Sequence, residues 1–179
     1  MNYKNLPIFI LLFLFGCDSQ PEQKQENELT YFDLKGYFEK EASRLSKTNP
    51  MLSKTVGVNE SSETRKIRIS DWEKELEIFK DADINKAAWK GMFTEIKQPG
   101  RQIYTSNDEK IPVKQLQLYY SEKGDKIKGL QIIIHTDNML YSSCDTLSYY
   151  PDSLYQVNKS QDILLLSKKN YQVSAAFLF

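Results

Sequence analysis

Few residues in this chain are of types that do chemistry, and their spacing keeps them apart. His135 is the only histidine, set in the apolar run Ile132-Ile133-Ile134-His135-Thr136 with no serine beside it and no Gly-x-Ser-x-Gly elsewhere. A nucleophile activated by an adjacent base has no support in that pattern, and His135 reads as a strand-end residue. Of the two cysteines, Cys17 and Cys144, neither belongs to a Cys-x-x-Cys, and no His-x-x-x-His is present. The seven glycines, at 16, 36, 57, 91, 100, 124 and 129, never gather into a phosphate cradle. Zinc and nucleotide chemistry are disfavoured. Cys144 reads as a small core or half-buried strand residue, without a partner for a disulfide in its own chain.

Carboxylates offer two apparent sites. Asp81-Ala82-Asp83-Ile84-Asn85 opens like a calcium loop of the EF-hand type, but Lys86 stands where glycine makes the sharp bend and Met92 where a bidentate glutamate belongs. The segment reads as a helix break with capping carboxylates. Glu73, Glu75 and Glu77 interleave with Lys74 and Lys80, which describes a solvated helix face rather than an acid/base pair. No catalytic residue, metal or cofactor is expected.

Tyrosine carries the one hint of recognition. Tyr119, Tyr120, Tyr141, Tyr149, Tyr150, Tyr155 and Tyr171 all fall in the C-terminal strand region. Tyrosine gives wide amphipathic contact at small entropic cost, which suits a protein or glycan partner. Tyr119, Tyr141, Tyr149 and Tyr155 are the candidate ligand face. Tyrosine is also at home at half-buried strand positions, so this reading depends on where the rings lie. Charge points to no nucleic acid: 24 basic residues balance 24 acidic ones and the basic residues are scattered.

The elements that would position these residues follow from periodicity. Thr30-x-x-Asp33 has the form of a variant capping box. Leu34, Phe38, Ala42 and Leu45 then fall four, four and three apart, predicting an amphipathic helix that ends before Asn49-Pro50. Alternation over 52–58 and 64–69 predicts a hairpin around Asn59-Glu60-Ser61-Ser62-Glu63. Ser70-x-x-Glu73 is a stronger box, opening a second helix through Trp72, Leu76 and Phe79 that breaks near Asp81-Ala82-Asp83. Pro99-Gly100 predicts a turn between strands at 93–96 and 101–104.

Beyond Pro112 the chain becomes a meander. A three-residue loop Lys123-Gly124-Asp125 would pair Glu122 with Lys126, setting Leu118 opposite Leu130 and Leu116 opposite Ile132. An even loop would put Gly129 or Gln131 there instead. Further strands are expected at 139–149, 154–159, 163–167 and 171–178. The intervening turns are Asp137-Asn138, Pro151-Asp152, Ser160-Gln161 and Lys168-Lys169-Asn170. At the Asp137 hairpin two registers stay open, Ile134 against Tyr141 or against Leu140. The closing alternation of Tyr171, Val173, Ala175, Phe177 and Phe179 is similar to the last strand of an outer-membrane β-barrel. The strands are too few and too polar for a barrel, so a core strand is expected. The class is α+β: two N-terminal helices with an intervening β-hairpin packed on a C-terminal antiparallel β-meander, residues 30–179 forming one domain.

The N-terminus speaks of address. Leu11-Leu12-Phe13-Leu14-Phe15-Gly16-Cys17-Asp18 is a greasy run that stops at a cysteine and turns polar, after a start carrying Lys4. The apolar core from Leu6 to Phe15 is ten residues, which as a helix span only about 15 Å, half of a ~30 Å hydrocarbon core, so a permanent membrane helix is not expected. Leu14-Phe15-Gly16-Cys17 resembles the lipobox of bacterial lipoproteins, and Cys17-Asp18-Ser19-Gln20 looks like lipoproteins of the Bacteroidota, many of which reside at the outer membrane. Phe15 is larger than is usual at its place. The resemblance implies cleavage between Gly16 and Cys17, removal of residues 1–16, and a diacylglyceryl thioether with an N-acyl group on Cys17. Several chains hold a protein on a bilayer where one is marginal. From Asp18 to Glu28 every residue is polar or proline, so residues 17–29 form a lipidated tether that cannot offset the entropy of folding.

The resulting expectation is an envelope lipoprotein, a non-catalytic binding or structural module attached to a membrane through Cys17. The alternative is a carrier of lipid or another hydrophobic ligand in a half-barrel cavity, by fold-level analogy. An enzyme ranks third.

Overall fold

The computed structural model describes residues 29–178. Helix α1 spans Leu34–Thr48, strands β1 and β2 Met51–Val58 and Ser61–Arg68, and short helices α2 and α3 Trp72–Glu75 and Glu77–Asp81. After a single 3-10 turn at Ala87–Trp89 come β3 Thr94–Gln98, β4 Arg101–Thr105, β5 Val113–Tyr120, β6 Ile127–Asn138, β7 Tyr141–Tyr150, β8 Leu154–Ile163 and β9 Lys169–Leu178. All strands join one antiparallel sheet of nine, in the order β2-β1-β9-β8-β7-β6-β5-β4-β3. The class is α+β with a mostly β meander.

The place of the N-terminal hairpin corrects the expectation. It is not packed on the meander but continues it: β1 pairs with β9 from Met51↔Leu178 to Val58↔Tyr171. Strand β9 places Ala175 and Phe177 in the core. A strand buried that deeply needs ladder partners on both edges, and the alternating β1 supplies the second.

One face of the sheet carries the core. Cross-strand rows Leu116–Ile132–Leu147–Val157–Val173 and Leu118–Leu130–Tyr149–Tyr155–Ala175 follow from the registers. The helices lie against this face. Leu34, Phe38, Ala42 and Leu45 are the buried residues of α1, as their spacing predicts. Phe38 stacks on Phe79 at 4.8 Å and meets Tyr149 edge-on at 5.1 Å, while Trp72 stacks on Phe177 at 6.0 Å. Such pairs stabilise beyond the area they bury.

Both helix starts lie later than the capping boxes suggest. Asp33, not Thr30, caps α1 by accepting from the Gly36 N–H at 2.8 Å. Asp71, not Ser70, caps α2 through the Lys74 N–H at 3.0 Å. In each case the cap is the residue just before the first buried side chain, Leu34 or Trp72, so the core fixes the start. The second helix also divides at Leu76, which ends α2 and opens α3.

Turns show the other departures. Leu116↔Ile132 and Leu118↔Leu130 pair as predicted, but a bulge shifts the ladder by one between Tyr119 and Tyr120. The Ser121 N–H then bonds the Lys126 carbonyl at 2.8 Å. Four loop residues plus one bulged residue thus give the inner register of a three-residue loop, and the apolar rows, not the loop, decide it. The β6–β7 turn is at Met139-Leu140, two residues past Asp137-Asn138, so Ile134 faces Asp145 rather than Tyr141 or Leu140. Asn138 is used as a turn initiator, its Oδ1 accepting from the Leu140 and Tyr141 N–H groups. Strand β8 runs straight through Ser160-Gln161, and the stretch expected as a strand at 163–167 is mostly loop. The β1–β2 loop is only Asn59-Glu60, with Asn59 at φ 54°.

Candidate functional site

The four candidate tyrosines do not share an exposed face. Tyr149 and Tyr155 lie in the core, 0% and 1% exposed. Each acts as a bolt between sheet and helices. The Tyr149 hydroxyl donates to Glu41 at 2.6 Å, and Glu41 also pairs with Arg44 at 2.9 Å. The Tyr155 hydroxyl donates to Glu75 at 2.6 Å, which pairs with Lys54 at 2.6 Å. Burial, then the neighbouring carboxylate, pushes both phenols far above their ordinary range. Tyr141 is half-buried on the same face but near the end of β7, where Gln161 Nε2 donates to its hydroxyl at 3.0 Å. Only Tyr119 lies on the opposite face, half-buried and paired with Gly129. Parity holds the missed signal: Tyr149 is two residues from Leu147, and Tyr155 two from Val157, both on the core face.

Gly16 and Cys17 lie outside the described residues, as does Phe179. Near Tyr141, Asp145 accepts from Ser143 Oγ at 2.7 Å and pairs with Lys159 at 3.1 Å. Burial acts to lower the Lys159 ammonium, but the hydrogen bond and charge of Asp145 outweigh it and hold it above its ordinary value. That is a structural ion pair closing the polar end of the core face.

The face turned away from the helices is a grid that sequence reasoning did not anticipate. One row crosses all strands from β4 to β2 as Ile103–Gln117–Gln131–Ser148–Gln156–Ser174–Thr55–Thr64. The next runs Thr105–Gln115–Ile133–Thr146–Asn158–Gln172–Gly57–Ser62. Neither row holds a charged residue, in a chain that is 27% charged. Gln117 accepts from Arg101 at 3.0 Å, and Thr55 and Thr64 share a hydrogen bond of 2.8 Å. Side chains about 4.8 Å apart across strands line up neutral donors and acceptors, with Gln117 and Ser148 buried and the Arg101 guanidinium reaching in to Gln117.

At the same face His135 stands directly opposite Cys144. The thiol is exposed, correcting the expectation of a core or half-buried residue. The His135 N–H bonds the Pro112 carbonyl at 2.8 Å, whereas its imidazole has no hydrogen bond among the described residues. His135 also borders an open polar cleft of about 660 Å³ with Glu109, Lys114 and Asp137. Lys114 is turned to the Asp108 carbonyl at 2.8 Å.

The EF-hand-like segment has a structural use for its polar atoms. Asp83 Oδ1 accepts from the Asn85 N–H at 3.2 Å, and Asn85 in turn accepts from the Tyr31 N–H and donates to the Phe32 carbonyl, each at 2.9 Å. The break thereby staples the entry of α1. Glu73 pairs with Lys80 at 2.7 Å. No group of three or more His, Cys, Asp or Glu among the described residues is arranged to hold a metal ion. No described helix is long and apolar enough to cross a membrane. No protein family, curated protein or solved structure matches this chain.

Proposed function

We propose that this chain is an envelope lipoprotein, a non-catalytic binding or structural module tethered to a membrane by acyl chains on Cys17, with the outer membrane the favoured location. The observation that carries it is the apolar run ending in Leu14-Phe15-Gly16-Cys17 and followed by eleven polar or proline residues, Asp18–Glu28. The binding half of the reading draws on the uncharged grid, whose neutral hydrogen-bonding rows suit a glycan or peptide partner. Tyr119 is the one candidate tyrosine positioned to join it.

The carrier alternative draws no support from the space between helices and sheet. Phe38, Phe79, Trp72, Tyr149, Tyr155 and Phe177 fill that space with rings in mutual contact.

The anchor is tested by mass. The mature protein is expected to start at Cys17 and to exceed its polypeptide mass by a diacylglyceryl and an acyl group, with labelled palmitate entering the wild type and not Cys17→Ala. A mature protein of bare polypeptide mass, or one retaining residues 1–16, overturns the reading.

A further inference from the structure

We propose that two neighbouring hairpin tips, Met139-Leu140 and Leu164-Leu165-Leu166, insert into the surface of a lipid bilayer and hold that end of the sheet on the membrane. The five most exposed large hydrophobic residues among those described all sit here: Leu165 95%, Met139 92%, Leu140 61%, Leu166 60% and Leu164 58%. The tips are more than twenty residues apart in sequence but adjacent in space, tied by a 2.9 Å hydrogen bond from the Leu164 N–H to the Leu140 carbonyl. Five aliphatic side chains therefore form one protruding patch, not singly scattered surface residues.

Turn chemistry makes this placement deliberate. The loops at the other end of the sheet carry turn residues: Glu122-Lys123-Gly124-Asp125 after β5 and Pro151-Asp152-Ser153 after β7. Hairpin loops favour Gly, Asn and Asp because these tolerate left-handed backbone. Leu165 instead adopts φ 67°, a region leucine seldom occupies. Folding gains nothing from an exposed leucine held in that conformation.

The chemistry of the patch selects the occupant. It is aliphatic throughout and protrudes, so a fluid apolar phase can cover it on every side, whereas a partner protein would need a pocket shaped to receive it. Its flanks balance, Asp137 and Asp162 against Lys168 and Lys169, so contact would not depend on anionic lipid. The choice of a bilayer rests on the anchoring proposed above. Residues 17 to 29 can extend no more than about 45 Å, which keeps the tips at high effective concentration beside the membrane holding the anchor.

The test uses the full lipidated chain in phosphatidylcholine vesicles. In a Cys144→Ser background, Leu165→Cys or Met139→Cys carries an environment-sensitive fluorophore, with Lys123→Cys at the opposite end as control. At both tip positions the emission is expected to shift to shorter wavelength and to be quenched by a nitroxide on the lipid chains, unchanged by high salt. The Lys123 label stays water-like, and Leu164→Asp abolishes the quenching at Leu165→Cys. Water-like emission from both tip labels overturns the proposal. So does shifted emission without lipid quenching, which would signal a second copy or another protein on the patch. The mass of the same preparation reports on the anchor separately: if it shows no acyl groups, the tip labels are read again with Cys17→Ala added, where no second thiol takes the dye, and quenching there upholds insertion and defeats only the anchor.

Discussion

Tyr149 has its ring against Phe38 and Phe79 and its hydroxyl on Glu41, so one side chain joins the apolar core to the charged back of α1. A hydrogen bond to a charged acceptor contributes about 1.5–3 kcal/mol. Because Arg44 still satisfies Glu41, Tyr149→Phe is expected to cost about 1–2 kcal/mol. In chemical denaturation this lowers the midpoint and leaves the slope unchanged. The buried phenols also set an alkaline limit. Tyr104, Tyr149 and Tyr155 are each at most 3% exposed, and burial, then a carboxylate neighbour, raises all three. Their stabilisation is complete below the unfolded value near pH 10 and declines as pH rises toward the folded values, since above pH 10 the unfolded chain holds fewer protons. Three such groups give a slope of about 4 kcal/mol per pH unit against a total stability of about 5–15 kcal/mol. The domain is expected to unfold cooperatively at some pH above 10, with phenolate absorbance and loss of near-ultraviolet dichroism coinciding. Smooth ionisation of these rings in the folded state near pH 10 would contradict that.

Helix α1 shows what an element adds to its residues. Its start is decided jointly by Leu34, the first buried side chain, and by Asp33, whose carboxylate caps Gly36. Asp33→Ala is expected to cost about 1 kcal/mol and Asp33→Asn far less, read by thermal or chemical denaturation. A Cβ at Gly36 would come within 2.1 Å of Asp33 Oδ2, so Gly36→Ala obliges the capping carboxylate to shift, but alanine at a helical position gains about 1 kcal/mol over glycine. The two terms offset, and Gly36→Ala is expected to cost less than Asp33→Ala. The helical face and the Leu118↔Leu130 register are legible in the sequence because burial imposes a period on many residues at once. Single turns are not. Asp137-Asn138 has the composition of a turn, yet Asn138 serves best just before it, which moves the bend to Met139-Leu140. Leu164-Leu165-Leu166 looks like strand because no short-range rule distinguishes an apolar residue buried in a sheet from one displayed at its tip. The neutral grid was equally hidden: Gln117, Gln131, Ser148 and Gln156 become one row only when four strands are set in register.

At the scale of the whole molecule the sheet is open among the described residues, with β2 and β3 as its edges, and on each edge no further described strand pairs with the outward backbone. Charge guards both. Strand β2 carries Glu63, Arg65, Lys66 and Arg68, with Glu63 and Arg65 paired at 2.6 Å, and β3 carries Glu95 and Lys97 at 3.1 Å. Charged side chains on an edge disfavour strand addition between copies. The double variant Arg65→Val/Lys66→Val would leave the β-branched run Thr64-Val-Val-Ile67 on an edge whose side chains are already almost wholly exposed. It is expected to keep its fold but to self-associate with rising concentration, as read by sedimentation. A variant that sediments like the wild type throughout would show that the edge needs no such guard. Under the proposed anchoring the effect grows on a membrane. Copies confined to one plane by acyl chains, and oriented by the same apolar tips, meet edge to edge far more often than copies tumbling in solution. The association of the variant should therefore appear in vesicles at a protein-to-volume ratio too low to produce it free in buffer.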